Sequence, residues 1–453
     1  MIHNLTIMKS IQRPTGVRYS VLAFVCSLSL LTYLDRICIM RARTDIQRDL
    51  DISDTLMGFI FSAFTLGYTI FEIPIGWMGD RWGSRVVLTR IVLGWSFFTA
   101  LTGFVFRFHL DILPGLFIDA VVCLIAIRFC FGVGEAGAYP NITRIVGIWF
   151  PAPERGTAQG AVWMAARIGG AFAPLVLGRI SSLIGWRWAF AVLGAVGVTW
   201  VAAFWWWFRD YPSQHPKVNL AERELIEEHQ GVGHGGHSWP GFKPIFLNLS
   251  VWAMCWAGIW VCVGWYFYPT WQPKYLEERF GFKPDGWELE VLTGMPFLFG
   301  ALGCIAGGRL SDILIRTSLG SRWGRAVIGL IGFFGAGACF VLATFANRAW
   351  EAVTLLCLAA LLNDLAIPVL WASAAEVGGR FAGSISGVMN TAGGVGAILC
   401  PILIPIVLNW LPTGLETAFR WQIIFWGLAC AWFLAALAWL IIDVNNPILS
   451  AVE

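Results

Sequence analysis

Apolar residues run along this chain in long blocks separated by short polar stretches. A helix needs about 20 mostly apolar residues to span a bilayer, and about twelve blocks meet that length. They cover 20–42, 56–79, 86–107, 117–149, 158–180, 188–208, 245–272, 289–310, 326–346, 351–378, 384–408 and 420–443. One interruption is longer. Residues 209–244 are polar and rich in Gly, His and Pro, and they divide the blocks into two sets of six. The pattern predicts an all-α membrane protein of twelve transmembrane helices in two pseudo-symmetric halves, residues 1–208 and 245–453, joined by a 209–244 linker.

The two sets read as repeats. Gly76-Trp77-Met78-Gly79-Asp80-Arg81 follows the second block, and Gly307-Gly308-Arg309-Leu310-Ser311-Asp312 follows the eighth. Blocks five and eleven align without gaps, Gly160, Ala165, Gly169 and Pro174 falling on Gly387, Ala392, Gly396 and Pro401. Internal repeats of this kind mark transporter folds. Lys and Arg are biased towards alternate loops, which puts both termini and the linker on the cytoplasmic side of the cell (inner) membrane.

Composition agrees. The 453 residues are 57% hydrophobic and 13% charged, with a mean hydropathy of +0.69; soluble domains carry about 25% charged residues. A net charge of +3 leaves no footprint for nucleic acid. The eleven cysteines include no CxxC pair and read as packing residues, with no disulfide, metal site or cofactor expected. His229, His234 and His237 read as incidental loop histidines, and Leu220 to His229 as a short amphipathic surface helix. The first apolar run lacks a small-residue cleavage site, so it is expected to be a spanning helix. No P-loop, HExxH or strand-to-helix GxSxG is present, which argues against an enzyme.

Chemistry enters where ions interrupt apolar blocks, because a charge there needs a partner or a water-filled cavity. Arg36 is the expected substrate anchor, since a guanidinium forks onto a carboxylate. Asp35 beside it points elsewhere on the helix. Arg128 and Glu135 lie two turns apart on one face, either as a static pair or as a proton-coupled one. Arg167 lies in the fifth block where the repeat has Gly394. It is expected to bind a second acidic group or a polarised hydroxyl of the substrate, the alternative being a partner for a nearby carboxylate. Tyr33, Tyr68, Trp271, Gln272, Trp371 and Asn390 offer hydroxyl, amide and aromatic contacts. Glu72 and Arg144 read as gating or anchoring groups near the inner face. Asp364 remains unassigned.

The Gly76 to Arg85 loop and its weaker copy resemble the signature loops of the major facilitator superfamily. Tyr33-Leu34-Asp35-Arg36, Gly132 to Asn141, Trp149-Phe150-Pro151 and Trp271 to Leu276 resemble its anion:cation symporter branch. That resemblance implies a substrate-binding role for Arg36, protonation of Asp35 and Glu135 with Arg128 alongside, and a state-dependent charge latch at Asp80, Arg81, Arg85 and Asp312. It implies a monomer that moves a small organic anion with protons through the lipid bilayer, with exchange, export or sodium coupling as alternatives.

Overall fold

The computed structural model describes residues 13–113, 116–227, 242–283, 287–412 and 414–448. The histidines at 229, 234 and 237 lie outside them. In chain order the helices are α1 (Val17–Arg41), α2 (Arg43–Leu50), α3 (Asp54–Trp82), α4 (Ser84–Gly103), α5 (Ala120–Glu135), α6 (Ala138–Trp149), α7 (Ala152–Ile184), α8 (Trp186–Trp207) and α9 (Leu220–Glu227). There follow α10 (Phe242–Leu247), α11 (Leu249–Trp265), α12 (Phe267–Thr270), α13 (Gln272–Phe280), α14 (Trp287–Leu314), α15 (Gly320–Ala343), α16 (Ala349–Gly378), α17 (Ala382–Trp410) and α18 (Thr417–Leu437).

Among the described residues, ten helical stretches are long and apolar enough to cross a membrane, or eleven if the bent pair Ala152–Ala173 and Leu175–Ile184 is one span. One of the ten, Ala349–Trp410, contains both α16 and α17. Some helix starts are capped by side chains. Ser53 accepts from Leu56 N–H, Asp119 from Val122 N–H, and Asn248 from Ser250 and Val251 N–H.

Two blocks differ from uninterrupted helices. The fourth breaks between α5 and α6 at Ala136-Gly137, and the seventh breaks at Tyr266 and Trp271. The stretch before α5 also forms a two-stranded antiparallel hairpin, β1 (His109–Leu113) with β2 (Leu116–Asp119). Broken backbone at membrane depth is tolerated where protein or a cavity surrounds it.

The packing order repeats. α1 lies along α7, α3 along α5 and α4 along α8; in the same sequence order, α11 lies along α17, α14 along α16 and α15 along α18. Between the sets, α7 packs on α14 and α3 on α17. The repeated glycines do equivalent work. A Cβ at Gly160 would lie 2.5 Å from the Cys304 carbonyl of α14, and one at Gly387 3.0 Å from the Glu72 carbonyl of α3. Likewise Gly169 abuts α1 at Leu30 and Gly396 abuts α11 at Ile259. Close backbone approach through small residues is how helices associate in lipid, where burial alone gives little drive.

Polarity is inverted relative to a soluble domain. Trp206 and Leu302 are 77% and 60% exposed, whereas Glu72, Glu135 and Asp364 are fully buried.

Candidate functional site

The centre of the molecule is organised by Arg36. Its Nε donates to Glu135 Oε1 at 2.5 Å, and the guanidinium carbon lies 4.6 Å from the Tyr68 ring centre, 5.6 Å from Phe64 and 5.8 Å from Tyr33. The α5 break makes this possible. Gly137 adopts φ +75°, and a Cβ there would meet Ile75. Glu135 therefore ends α5, facing α1 rather than continuing up one helix face. Gly132 and Gly67 abut the Phe64 and Phe129 carbonyls, which holds α5 against α3.

The pairing differs from that expected for α5. Glu135 bonds Arg36, and among the described residues Arg128 forms no hydrogen bond or ion pair. Its guanidinium sits over Phe131 and Phe64, at 4.4 and 5.0 Å, with Asp35 and Glu135 as charged neighbours. Asp35 is buried. Its Oδ1, Arg36 Nη2, Arg128 Nε and Glu135 Oε2 are buried polar atoms without a hydrogen-bond partner among the described residues. Such atoms are rare in native interiors.

Two connections cross between the helix sets near this centre. Asn390 Nδ2 of α17 donates to Glu72 Oε1 at 2.8 Å and lies 3.1 Å from Tyr68 Oη, both on α3. Glu72 thus joins the centre through Tyr68, in addition to lining α3 towards the linker. Arg167 on α7 forks onto Asp364 on α16, Nε to Oδ2 at 2.7 Å and Nη2 to Oδ1 at 2.9 Å, while Nη1 donates to Tyr33 Oη at 3.2 Å. Of the two readings of Arg167, this geometry fits the partner for a nearby carboxylate: Asp364 holds the fork. Trp371 stands in an aromatic cluster with Tyr139 and Trp163; the latter two stack at 4.6 Å.

Gln272 and Trp271 lie apart from Arg36 in their bonding. Gln272 donates to the Leu292 carbonyl at 3.2 Å, tying α13 to α14, and Lys274 lies over the Trp271 ring. Their chain positions placed them at the end of the seventh block. The break at Trp271 redirects them.

At the end that carries the 209–227 segment, two aspartates cross between the sets in mirror fashion. Asp80 accepts from Gly383 and Ser384 N–H at 3.0 and 2.7 Å, at the N-terminus of α17. Asp312 accepts from Gly156 and Thr157 N–H at 3.0 and 2.6 Å, near the start of α7. Carboxylates are stabilised by helix N-termini. Arg144 backs Asp80 at 3.5 Å, and Arg325 backs Asp312 at 2.9 Å while also bonding Glu376. Arg81 and Arg85 do not join this crossing. Arg81 is exposed over Trp77. Arg85 bonds the Trp205 carbonyl, and its backbone N–H bonds Asp210, both on the same side of the molecule.

The linker segment is docked rather than lying free on a surface. Glu222 of α9 is buried and accepts from Thr15 Oγ1, from Val17 and Arg18 N–H and from Arg18 Nη1. Burial alone would raise its pKa, but these donors outweigh it and hold the carboxyl below the usual range.

Sequence reasoning left Asp364 without a role and missed Trp163, Trp265, Tyr139 and the centre-facing part of Glu72. Buried carboxylates inside apolar blocks were a usable signal for two of these. The aromatics carried none among 26 tryptophans and eight tyrosines.

Comparison with known proteins fits this geometry. The Major Facilitator Superfamily model matches residues 25–401. The chain is 33% identical over 394 residues to the Probable sulfoacetate transporter SauU of Cupriavidus necator, covering 85% of this chain and 86% of that protein. It is 30% identical over 411 residues to the Probable galactarate/D-glucarate transporter GudP of Bacillus subtilis, covering 88% and 87%. The proton:xylose symporter XylE superposes with a TM-score of 0.70 at 15% identity, over 96% of this chain and 99% of that one. Extensive identity to transporters and a shared helical architecture give one conclusion: this chain belongs to the Major Facilitator Superfamily, among the relatives of its sugar-acid and organic-anion transporters.

Proposed function

We propose that the protein is a proton-coupled symporter of an organic anion, a sugar acid or related carboxylate, working by alternating access. The observation that carries this reading is the contact between Arg36 and Glu135. The guanidinium is the natural receptor for the substrate's acid group, and Glu135 already occupies it. A proton on Glu135 releases Arg36 to the incoming anion; loss of that proton returns Glu135 to Arg36 and expels the anion. Proton and anion then travel together.

Charge balance supports the same direction. The part-exposed Arg36 and the buried Arg128 and Arg167 share the centre with four buried carboxylates, Asp35, Glu72, Glu135 and Asp364. Adding an anion deepens a negative excess in a low-dielectric interior, which is unfavourable unless protons enter too. Asp35, beside Arg128 and Glu135, is the second proton carrier in this scheme. Tyr33, Tyr68 and Asn390 supply hydroxyl and amide groups for a polyol chain, and the Trp371 cluster an aromatic wall.

The repeated packing order supports twelve spans in two halves, residues 1–208 and 245–453, rocking about the centre. In this reading the Asp80 and Asp312 crossings close the linker end, and the linker and both termini are cytoplasmic. The reading places a monomer in the cell (inner) membrane.

The test is pH recording in lightly buffered, de-energised cells given sugar acids, aromatic acids and dicarboxylates one at a time. Medium alkalinisation with an acid, lost in Arg36→Ala, is the expected result. Labelled uptake without any pH change points instead to exchange or sodium coupling.

A further inference from the structure

The Arg167 to Asp364 pair is built to stay closed. Asp364 uses both oxygens on Arg167, and Asn363 Nδ2 adds a third bond to Oδ1 at 3.0 Å. Asn363 is itself fixed by Trp432 Nε1 at 3.0 Å. On the other side, Trp265 lies 3.7 Å over the guanidinium carbon and Tyr33 Oη takes Nη1. Gly300 of α14 makes the room, since a Cβ there would overlap Asp364 Oδ2. The paired side chains are 3% and 0% exposed. Every guanidinium nitrogen therefore has a protein acceptor, and the carboxylate has a rigid second layer behind it.

We propose that Asp364 is a specificity determinant: it occupies Arg167 from within, leaving the part-exposed Arg36 as the anion receptor while Arg128 lies buried over Phe131 and Phe64, and so selects acids with one anionic group over their two-acid analogues. For a second substrate acid to take Arg167, Asp364 must remain buried without a cation, the most unfavourable way to break such a pair. Tyr33 relays the distinction to the receptor, because its hydroxyl serves Arg167 while its ring faces Arg36. The two relatives above are named for two-acid cargoes, sulfoacetate and galactarate/D-glucarate. This inference rests on the reading of Arg36 as the anion receptor.

The experiment is ligand binding to the purified full-length protein, measured as thermal stabilisation with matched probes: D-galactonate against galactarate, and ethanesulfonate against sulfoacetate. In the pair that binds, the one-acid member is expected to bind at least about tenfold tighter to the wild type. Asp364→Asn is expected to shift the ratio about tenfold towards the two-acid member, by opening Arg167. Arg167→Gln combined with Asp364→Asn restores neutrality and is expected to keep one-acid binding within about threefold, with no gain for the two-acid member. Equal binding of both members with an unmoved ratio in Asp364→Asn overturns the proposal. So does loss of one-acid binding in the double variant, which would place Arg167 on the substrate. Binding that is unaffected by Arg36→Ala, or no binding by folded wild type, overturns the anion-receptor reading beneath it and this proposal with it.

Discussion

Glu135 Oε1 lies 2.5 Å from Arg36 Nε, although the two residues are 99 positions apart and each sits in an apolar block. The carboxylate is fully buried and the guanidinium side chain is 21% exposed. A buried acid therefore holds a cation that is itself partly exposed. This is the geometry of competition: whatever anion binds Arg36 must contend with Glu135.

Arg36 itself is expected to be irreplaceable. Lysine keeps the charge but loses the fork and the ring contacts with Tyr68 and Phe64. Truncation of one partner of a buried charge pair costs about 2–5 kcal/mol, roughly 30-fold or more in Kd. Both Arg36→Lys and Arg36→Ala should weaken substrate binding by at least that factor in a direct binding titration. Near wild-type affinity in Arg36→Lys would exclude forked recognition.

The crossings at Asp80 and Asp312 predict a shift between transport states. Each holds two backbone N–H groups of the opposite helix set, and a hydrogen bond to a charged group contributes about 1.5–3 kcal/mol. In Asp80→Asn, amide exchange at Gly383 and Ser384 should speed up about tenfold or more. In Asp312→Asn, the same should hold at Gly156 and Thr157. Hydrogen–deuterium exchange on peptides covering those positions reads this directly, and unchanged protection would remove both aspartates from the closure.

How much of this was legible in the sequence follows from reach. Charges inside apolar blocks singled out Arg36, Glu135, Arg128 and Asp35, which the structure gathers at one centre, and the repeated Gly-Asp pattern singled out Asp80 and Asp312. Partner choice was not legible. The spacing of Arg128 and Glu135 suggests one helix face only while the helix continues, and Ala136-Gly137 ends it. Arg167 and Asp364 are 197 positions apart; no local periodicity links them, and an arginine in lipid reads equally well as a ligand-binding or a structural group until its neighbour is seen. Arg81 illustrates the converse, a residue of the signature loop whose side chain turns outward over Trp77.

Docking of the linker should survive mild acid. The folded carboxyl of Glu222 is held below its unfolded value of about 4.3. Its stabilising contribution is therefore complete above that pH and is lost as pH falls through the lower folded value. Limited proteolysis of the linker should be slow and flat from pH 7 to about 5, then rise. Glu222→Gln should be cut faster at pH 7, and its difference from wild type should vanish near pH 3. Equal cleavage of the two proteins at pH 7 would show that Glu222 does not hold the linker.

The central claim, that Glu135 and the substrate compete for Arg36 through a proton, is tested most directly in proteoliposomes at zero membrane potential. The measurement is labelled acid accumulation under an inward proton gradient, beside labelled-for-unlabelled exchange without one. Wild type should accumulate the acid only with the gradient. Glu135→Gln should exchange normally but fail to accumulate. Gradient-driven accumulation that persists in Glu135→Gln, or wild-type accumulation that follows sodium and ignores protons, would contradict it.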